Sequence, residues 1–176
     1  MPKISLCMIV KNEEMHLARC LDSVAELVDE IIIVDTGSTD RTVEIASAYT
    51  SKVCSYPWKD DFSDARNYSF SKAVMDYCMW MDADDILEEA EKQKFLQLKQ
   101  SLSLDTDIVM MKYHTAFDEA GKPSFSYFRE RWIRNCTKYR WIGEVHEVIP
   151  PDGKMIYSDI AISHKKMSAG DPDRNL

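Results

Sequence analysis

Within the first 81 residues, short apolar runs alternate with segments of helical periodicity, and this alternation restricts the chain more than any other feature. Ile4 to Val10 is almost continuously apolar, as in a strand buried on both faces. Asn12 is suited to cap a following helix, in which Leu17, Ala18, Leu21, Val24, Ala25 and Val28 fall at three-and-four spacing, and Glu13 and Glu14 suit the positive end of its dipole. Glu30 to Val34 reads as a second buried strand, and Asp35 to Asp40 as a loop leading into a helix that runs to about Tyr49. Lys52 to Ser55 is a third short strand, Asp61 to Asp76 a helix with Phe62, Ala65, Ser69, Ala73 and Tyr77 on one face, and Cys78 to Met81 a fourth strand. Alternating βα units of this length predict an α/β fold, Rossmann-like and three-layered, around a mostly parallel central sheet.

The second half has a different texture. A charged helix is expected over Glu88 to Leu98, then strands over Ile108 to His114 and Tyr127 to Ile133 with a turn at Asp118 to Pro123, giving a mixed or antiparallel C-terminal part. Phe125 to Phe128 and the ten methionines are read as core filling. A length of 176 residues, 45% hydrophobic, suits one domain over residues 1–166, followed by a polar tail over 167–176 where a longer chain would continue. The formal net charge of −8 disfavours nucleic acid, whose phosphates need clustered Lys and Arg. The five cysteines are scattered without a C-x-x-C pair, as in a reducing compartment, and Ile4 to Val10 is too short for a signal core or a membrane span. The expected setting is cytoplasmic, with no membrane span and with a peripheral position at the inner membrane face allowed.

The fourth strand ends in Asp82, Asp84 and Asp85. Like charges this close call for a cation, and Asp82-Ala83-Asp84 sets two carboxylates at a spacing that suits one hard metal ion, at the sheet edge where α/β folds keep their ligands. The plainer reading of the cluster is a helix N-terminus, where carboxylates cap free N–H groups. Gly37 is the only glycine before Gly121, so no G-x-G-x-x-G or G-x-x-x-x-G-K-[ST] occurs in the first half, which excludes Rossmann oxidoreductases and P-loop enzymes. A nucleotide site built without glycines remains. In it Asp35 accepts from a base N–H or a ribose hydroxyl, Asp82 and Asp84 hold a divalent metal at a diphosphate, and Arg66 completes the set. Asp35 serves equally well as a plain turn residue.

Val10-Lys11-Asn12-Glu13-Glu14, Val34-Asp35-Thr36-Gly37-Ser38-Thr39-Asp40, Ala65-Arg66-Asn67 and Met81-Asp82-Ala83-Asp84-Asp85, in this order, resemble the opening of family 2 glycosyltransferases. Through Tyr127 to His146 the chain is similar to the branch in which such a domain precedes tetratricopeptide repeats or acts on peptides and cell-surface glycans. The resemblance implies the GT-A fold and a nucleotide-sugar donor, usually a uridine diphosphate (UDP) sugar, used with Mn²⁺ or Mg²⁺. It implies that Asp35 reads the uracil ring, that Val10 and Asn12 border the base pocket, that Arg66 lies near the nucleotide, and that Asp82, Ala83 and Asp84 form the D-x-D site, with Asp82 and Asp84 on the metal. Residues 1–100 then form the nucleotide-binding half and residues 101–166 the acceptor half, the acceptor being a glycan, a lipid-linked group or a peptide.

Transfer in one step inverts the anomeric centre and needs a carboxylate to deprotonate the acceptor. Trp141-Ile142-Gly143-Glu144-Val145-His146-Glu147 offers Glu144 and Glu147 beside a glycine. If Val145 to Ile149 is a strand, alternation puts Glu144 and Glu147 on opposite faces and favours Glu144. GT-A enzymes often add a late histidine to the metal or diphosphate, which points to His164 and His146. Trp132, Tyr139 and Trp141 among Arg129, Arg131, Arg134 and Arg140 suit a sugar platform or core packing with a basic rim. The competing functions are a sugar nucleotidyltransferase and a nucleotide-sugar-binding domain without catalysis.

Overall fold

Alternate residues of the first apolar run face opposite ways. Ile4, Leu6, Met8 and Val10 enter one hydrophobic core and Cys7 enters a second, so this strand is covered on both sides. The computed structural model describes residues 1–166, and the expected tail over 167–176 lies outside them. In chain order the elements are β1 (Ile4–Val10), α1 (Leu17–Val24) with a 3₁₀ turn (Ala25–Leu27), β2 (Glu30–Asp35), α2 (Thr42–Tyr49), β3 (Val53–Ser55), α3 (Phe62–Ser71) and β4 (Tyr77–Trp80). There follow β5 (Asp85–Ile86), α4 (Glu89–Ser101), β6 (Ile108–Phe117), β7 (Pro123–Arg134) and β8 (Met155–His164).

All eight strands join one sheet in the order β3-β2-β1-β4-β7-β6-β8-β5. The first four are parallel to one another, β7 runs antiparallel to both β4 and β6, β8 is parallel to β6, and β5 pairs antiparallel with β8. The α/β architecture, with its parallel first half and mixed second half, follows the sequence pattern. One face is covered by Leu17, Cys20, Leu21 and Val24 of α1, Ala46 of α2 and Phe95 of α4; the other by Phe70 of α3 together with Tyr139, Trp141 and Ile149. Each large aliphatic side chain so buried contributes about 1.5–3 kcal/mol. The chain steps outward from β1 to β2 and β3, then returns to lay β4 on the other side of β1. This reversal opens a crevice at the carboxyl ends of β1, β2 and β4, the place where such sheets hold ligands.

Several expectations are corrected. Asn12 does not cap α1: it has φ +53, and the helix begins only at Leu17. The third helix stops at Ser71, not Asp76, because the backbone beyond it is taken up elsewhere. Val74 N donates to Glu30, Met75 N to Ser5 Oγ, and the carbonyls of Ala73 and Met75 accept from Asn135. Phe125, Tyr127 and Phe128 are 59%, 40% and 41% exposed and enter neither core, so this segment is not core filling; it lies on the β6–β7 hairpin. Trp132, Tyr139 and Trp141 are buried, in keeping with the packing reading. The Asp82 to Asp85 cluster is no helix N-terminus, because β5 intervenes before α4 opens at Glu89. No described helix is long and apolar enough to cross a membrane.

Candidate active site

Two loops meet at the carboxyl ends of β1 and β2 and are stitched together by side chains. Asn12 N donates to Ser38 Oγ at 2.9 Å and its Oδ1 accepts from Thr39 N at 2.8 Å; Glu13 N donates to Thr42 Oγ1, and Glu14 N to Asp40. The Val10 carbonyl accepts from the backbone and the hydroxyl of Thr36. The buried Asp35 carboxylate accepts the N–H groups of Gly37 and Ser38 at 3.2 Å. That is turn chemistry, and it holds the carboxylate in place while lone pairs remain on its two oxygens. Val10, Asn12 and Asp35 therefore lie on one rim of the crevice.

At the end of β4 the three aspartates take different roles. Asp85 is completely buried and engaged on both oxygens: Oδ1 accepts from the Tyr113 hydroxyl at 2.8 Å, and Oδ2 from Asp82 N at 3.0 Å and Arg131 Nη1 at 3.3 Å. Arg131, also completely buried, is held between the rings of Trp80 and Tyr113, 3.8 and 4.4 Å from their centroids. Asp84 faces no such arginine among the described residues, and His164, brought in at the end of β8, sets Nδ1 at 3.3 Å from both Asp84 and Asp85. Hydrogen bonds to these two carboxylates raise the imidazole to about 10, against the opposing effect of burial. The pair thus draws positive charge strongly. Among the described residues, Asp84, Asp85 and His164 form a group whose ligand atoms lie within 4.8 Å of one another. Two carboxylates and an imidazole are a donor set that fits Mn²⁺ and, less well, Mg²⁺, which prefers oxygen throughout. Asp82 and His146, expected to share a metal, are not in this group.

Asp82 turns instead to Arg66. Arg66 Nη2 donates to Asp82 Oδ1 at 2.8 Å and Nε to Glu147 Oε1 at 2.7 Å, while its guanidinium stacks on Trp80 and Trp141. Burial pushes the Asp82 carboxyl up, but the Arg66 charge and hydrogen bond outweigh it and hold the group below the ordinary carboxylate range. Arg66 Nη1 is buried with no hydrogen-bond partner among the described residues. Residues 143–148 are not a strand: Ile142 and Val148 form a single bridge, and between them Gly143 and His146 have φ of +107 and +61. The alternation argument for Glu144 therefore fails. Glu144 is exposed, as is His146, whereas the Glu147 side chain is 12% exposed and directed to Arg66.

Sequence alone does not give three participants their roles, and Arg131, expected at a sugar platform or a basic rim, is instead fully buried. Asp85 was visible as the third carboxylate, but its burial depends on β5, two residues long and below any periodicity signal. Tyr113 and Arg131 sit in β6 and β7 and reach the site only because those strands cross to β4 and β8, a pairing that local pattern does not encode.

The family model described as Glycosyl transferase family 2 matches residues 5–161. A TPR repeat-containing protein of Synechococcus elongatus is 37% identical over 150 residues, covering 85% of this chain and 36% of its own length. The glycosyltransferase SunS of Bacillus subtilis is 32% identical over 155 residues, 83% of this chain and 34% of its own. The chain thus spans about a third of the length of these curated relatives. Among solved structures, glucosyl-3-phosphoglycerate synthase from Mycobacterium tuberculosis in complex with Mn²⁺ and UDP-glucose superposes with a TM-score of 0.52 at 25% identity, over 64% of this chain and 44% of that one. S. aureus TarS, at 22% identity, superposes with a TM-score of 0.53 over 66% of this chain and 37% of that one, a likeness of fold.

Proposed function

The chain belongs to glycosyl transferase family 2, a glycosyltransferase with the GT-A fold, and from that premise we propose that its crevice binds a UDP-sugar for a metal-dependent, inverting transfer. The observation that carries this reading is the meeting of Asp84, Asp85 and His164 within 4.8 Å at the switch-point edge, beside Asp82 and Arg66. The solved relative bound to Mn²⁺ and UDP-glucose supports it. Asp35 accepts from the uracil N–H, with Val10 and Asn12 bordering the base, and Asp82 and Ala83 line the donor.

Asp84 and His164 would hold the metal, and Asp85, saturated by Tyr113, Arg131 and Asp82 N, orients His164 from behind. Held there, a divalent ion would supply positive charge to offset that of a diphosphate leaving group. Arg66 keeps Asp82 ionised and aligned, and its unpartnered Nη1 provides a further donor within the site. Glu147 is the base that takes the proton of the acceptor hydroxyl, and its ion pair with Arg66 holds it oriented. Residues 1–100 serve the nucleotide and residues 101–166 the acceptor. The free cysteines fit a reducing, cytoplasmic setting.

Calorimetric titration with UDP, with and without Mn²⁺, tests the reading. Binding that requires Mn²⁺ and disappears in Asp84→Ala is the expected result; a folded protein that binds no UDP under either condition would refute the donor assignment.

A further inference from the structure

Between Trp141 and Val148 the chain forms a small closed unit. Ile142 and Val148 exchange both backbone hydrogen bonds, at 2.9 and 3.0 Å, so the residues between them move with their stem. α3 grips this unit at three places. Phe62 N, one of the donors that a helix start leaves without an internal acceptor, reaches the Glu144 carbonyl at 3.0 Å. Arg66 takes the Glu147 carboxylate, as described above.

The third grip is Asn67, to which the mechanism gives no part. Its Oδ1 accepts Trp141 N–H at 2.9 Å and its Nδ2 donates to the Trp141 carbonyl at 3.0 Å. A carboxamide that pairs with both backbone groups of one residue fixes orientation as well as distance. The residue so held is the stem itself, because Trp141 is 2% exposed and its ring packs edge-on against Phe70 and Trp80. Asn67 is only half-buried, and both ends of its carboxamide are engaged by Trp141. Its bonds serve the direction in which the chain leaves Trp141 toward Glu147.

We propose that Asn67 is a positioning residue for the transfer reaction: its clamp on Trp141 sets the pose of the loop through Val148 and so places the Glu147 carboxylate at Arg66. The role rests on the reading of Glu147 as the base, and two measurements keep the failure of one distinct from the failure of the other.

The first is hydrogen exchange by mass spectrometry on the full chain. Asn67→Ala removes both partners of Trp141 and is expected to raise exchange over residues 142–148 by about tenfold or more, with β1, β2 and β4 as protected as in the parent. Asn67→Asp keeps the acceptor for Trp141 N–H but turns an oxygen toward the carbonyl, and gives a smaller rise. Loop exchange equal to the parent's in both variants would overturn the proposal. The second is UDP release from UDP-glucose with Mn²⁺. Asn67→Ala is expected to lower kcat about tenfold with the donor KM within about twofold, and to cost nothing further in a Glu147→Gln background. A full additional loss in that background, or a raised KM at unchanged kcat, refutes action through Glu147. A parent chain that releases no UDP from UDP-glucose, UDP-galactose or UDP-N-acetylglucosamine refutes the donor reading, while the exchange measurement still decides whether Asn67 sets the loop.

Discussion

Asp84 and Asp85 are neighbours in sequence and opposites in role. Asp85 is wholly buried against the equally buried Arg131, so Asp85→Asn leaves a guanidinium without its counter-charge and should cost about 3–5 kcal/mol. Among the described residues Asp84 has the half-buried His164 opposite it and no arginine, and Asp84→Asn should cost less stability than Asp85→Asn while abolishing Mn²⁺-dependent UDP binding. Urea denaturation of the two variants, beside UDP titration, separates the roles; equal stability losses would refute the division. The two glutamates contrast in the same way. Glu147→Gln should lower UDP release from a UDP-sugar by about a hundredfold or more, and Glu144→Gln by less than about threefold, since only Glu147 is directed to Arg66. At this scale the sequence disclosed residue types and spacing: the aspartate cluster, Asp35, Arg66 and His164 could all be picked out. It could not say which carboxylate is buried or which glutamate turns inward. Those outcomes depend on a two-residue strand and on a loop with two left-handed residues, where neither period of two nor period of three and four applies.

Among the elements, β2 carries its own pH sensitivity. Glu30, at its first residue, accepts from Lys52, Ser5 Oγ and Val74 N, so it ties β1 and β3 to the turn before β4. Burial raises its carboxyl, but these donors outweigh burial and hold it below the ordinary range. A carboxyl that is depressed in the folded state contributes stability that is present above its unfolded pKa and lost as pH falls through the folded one. The parent's urea midpoint should therefore fall more steeply than that of Glu30→Gln between about pH 5 and pH 3; parallel profiles would contradict this. The turn into β8, which delivers His164, depends on Gly153. With φ +83, a Cβ there would meet the Asp107 carboxylate and lie 2.6 Å from the Tyr139 hydroxyl, whereas one at Gly121 (φ +76) would meet nothing. Gly153→Ala should lower the thermal midpoint clearly more than Gly121→Ala, by about 1–3 kcal/mol in stability. The βα units of the first half were legible because buried parallel strands and amphipathic helices write their periods into the chain. The exposed part of the β6–β7 hairpin was not, because Phe125, Tyr127 and Phe128 have core composition and only the folded sheet shows that they lie outside both cores.

For the whole molecule, the question is whether two cores make two folding units. They are separated by a single sheet, and the same strands feed both. Met79 of β4 enters one core while Cys78 and Trp80 enter the other, and β1 divides Leu6 and Met8 from Cys7 in the same way. Neither core can open without displacing strands that the other needs, so the chain should unfold as one cooperative unit. Its cysteines report on this directly. Cys20 is buried in the core under α1 and Cys7 and Cys78 in the core under α3, whereas Cys136 is exposed. Burial also holds the thiols of Cys7 and Cys20 well above their ordinary pKa, which suppresses the reactive thiolate until the surroundings open. A thiol reagent pulsed across a urea series should therefore modify Cys136 throughout. It should begin to modify Cys20 at the same urea concentration as Cys7 and Cys78, coincident with loss of the far-ultraviolet dichroism. Labelling of Cys7 and Cys78 at distinctly lower urea than Cys20 would show that the face bearing Trp141 and the Glu147 loop opens on its own. The pose of Glu147 would then depend on a local equilibrium instead of on the stability of the whole domain.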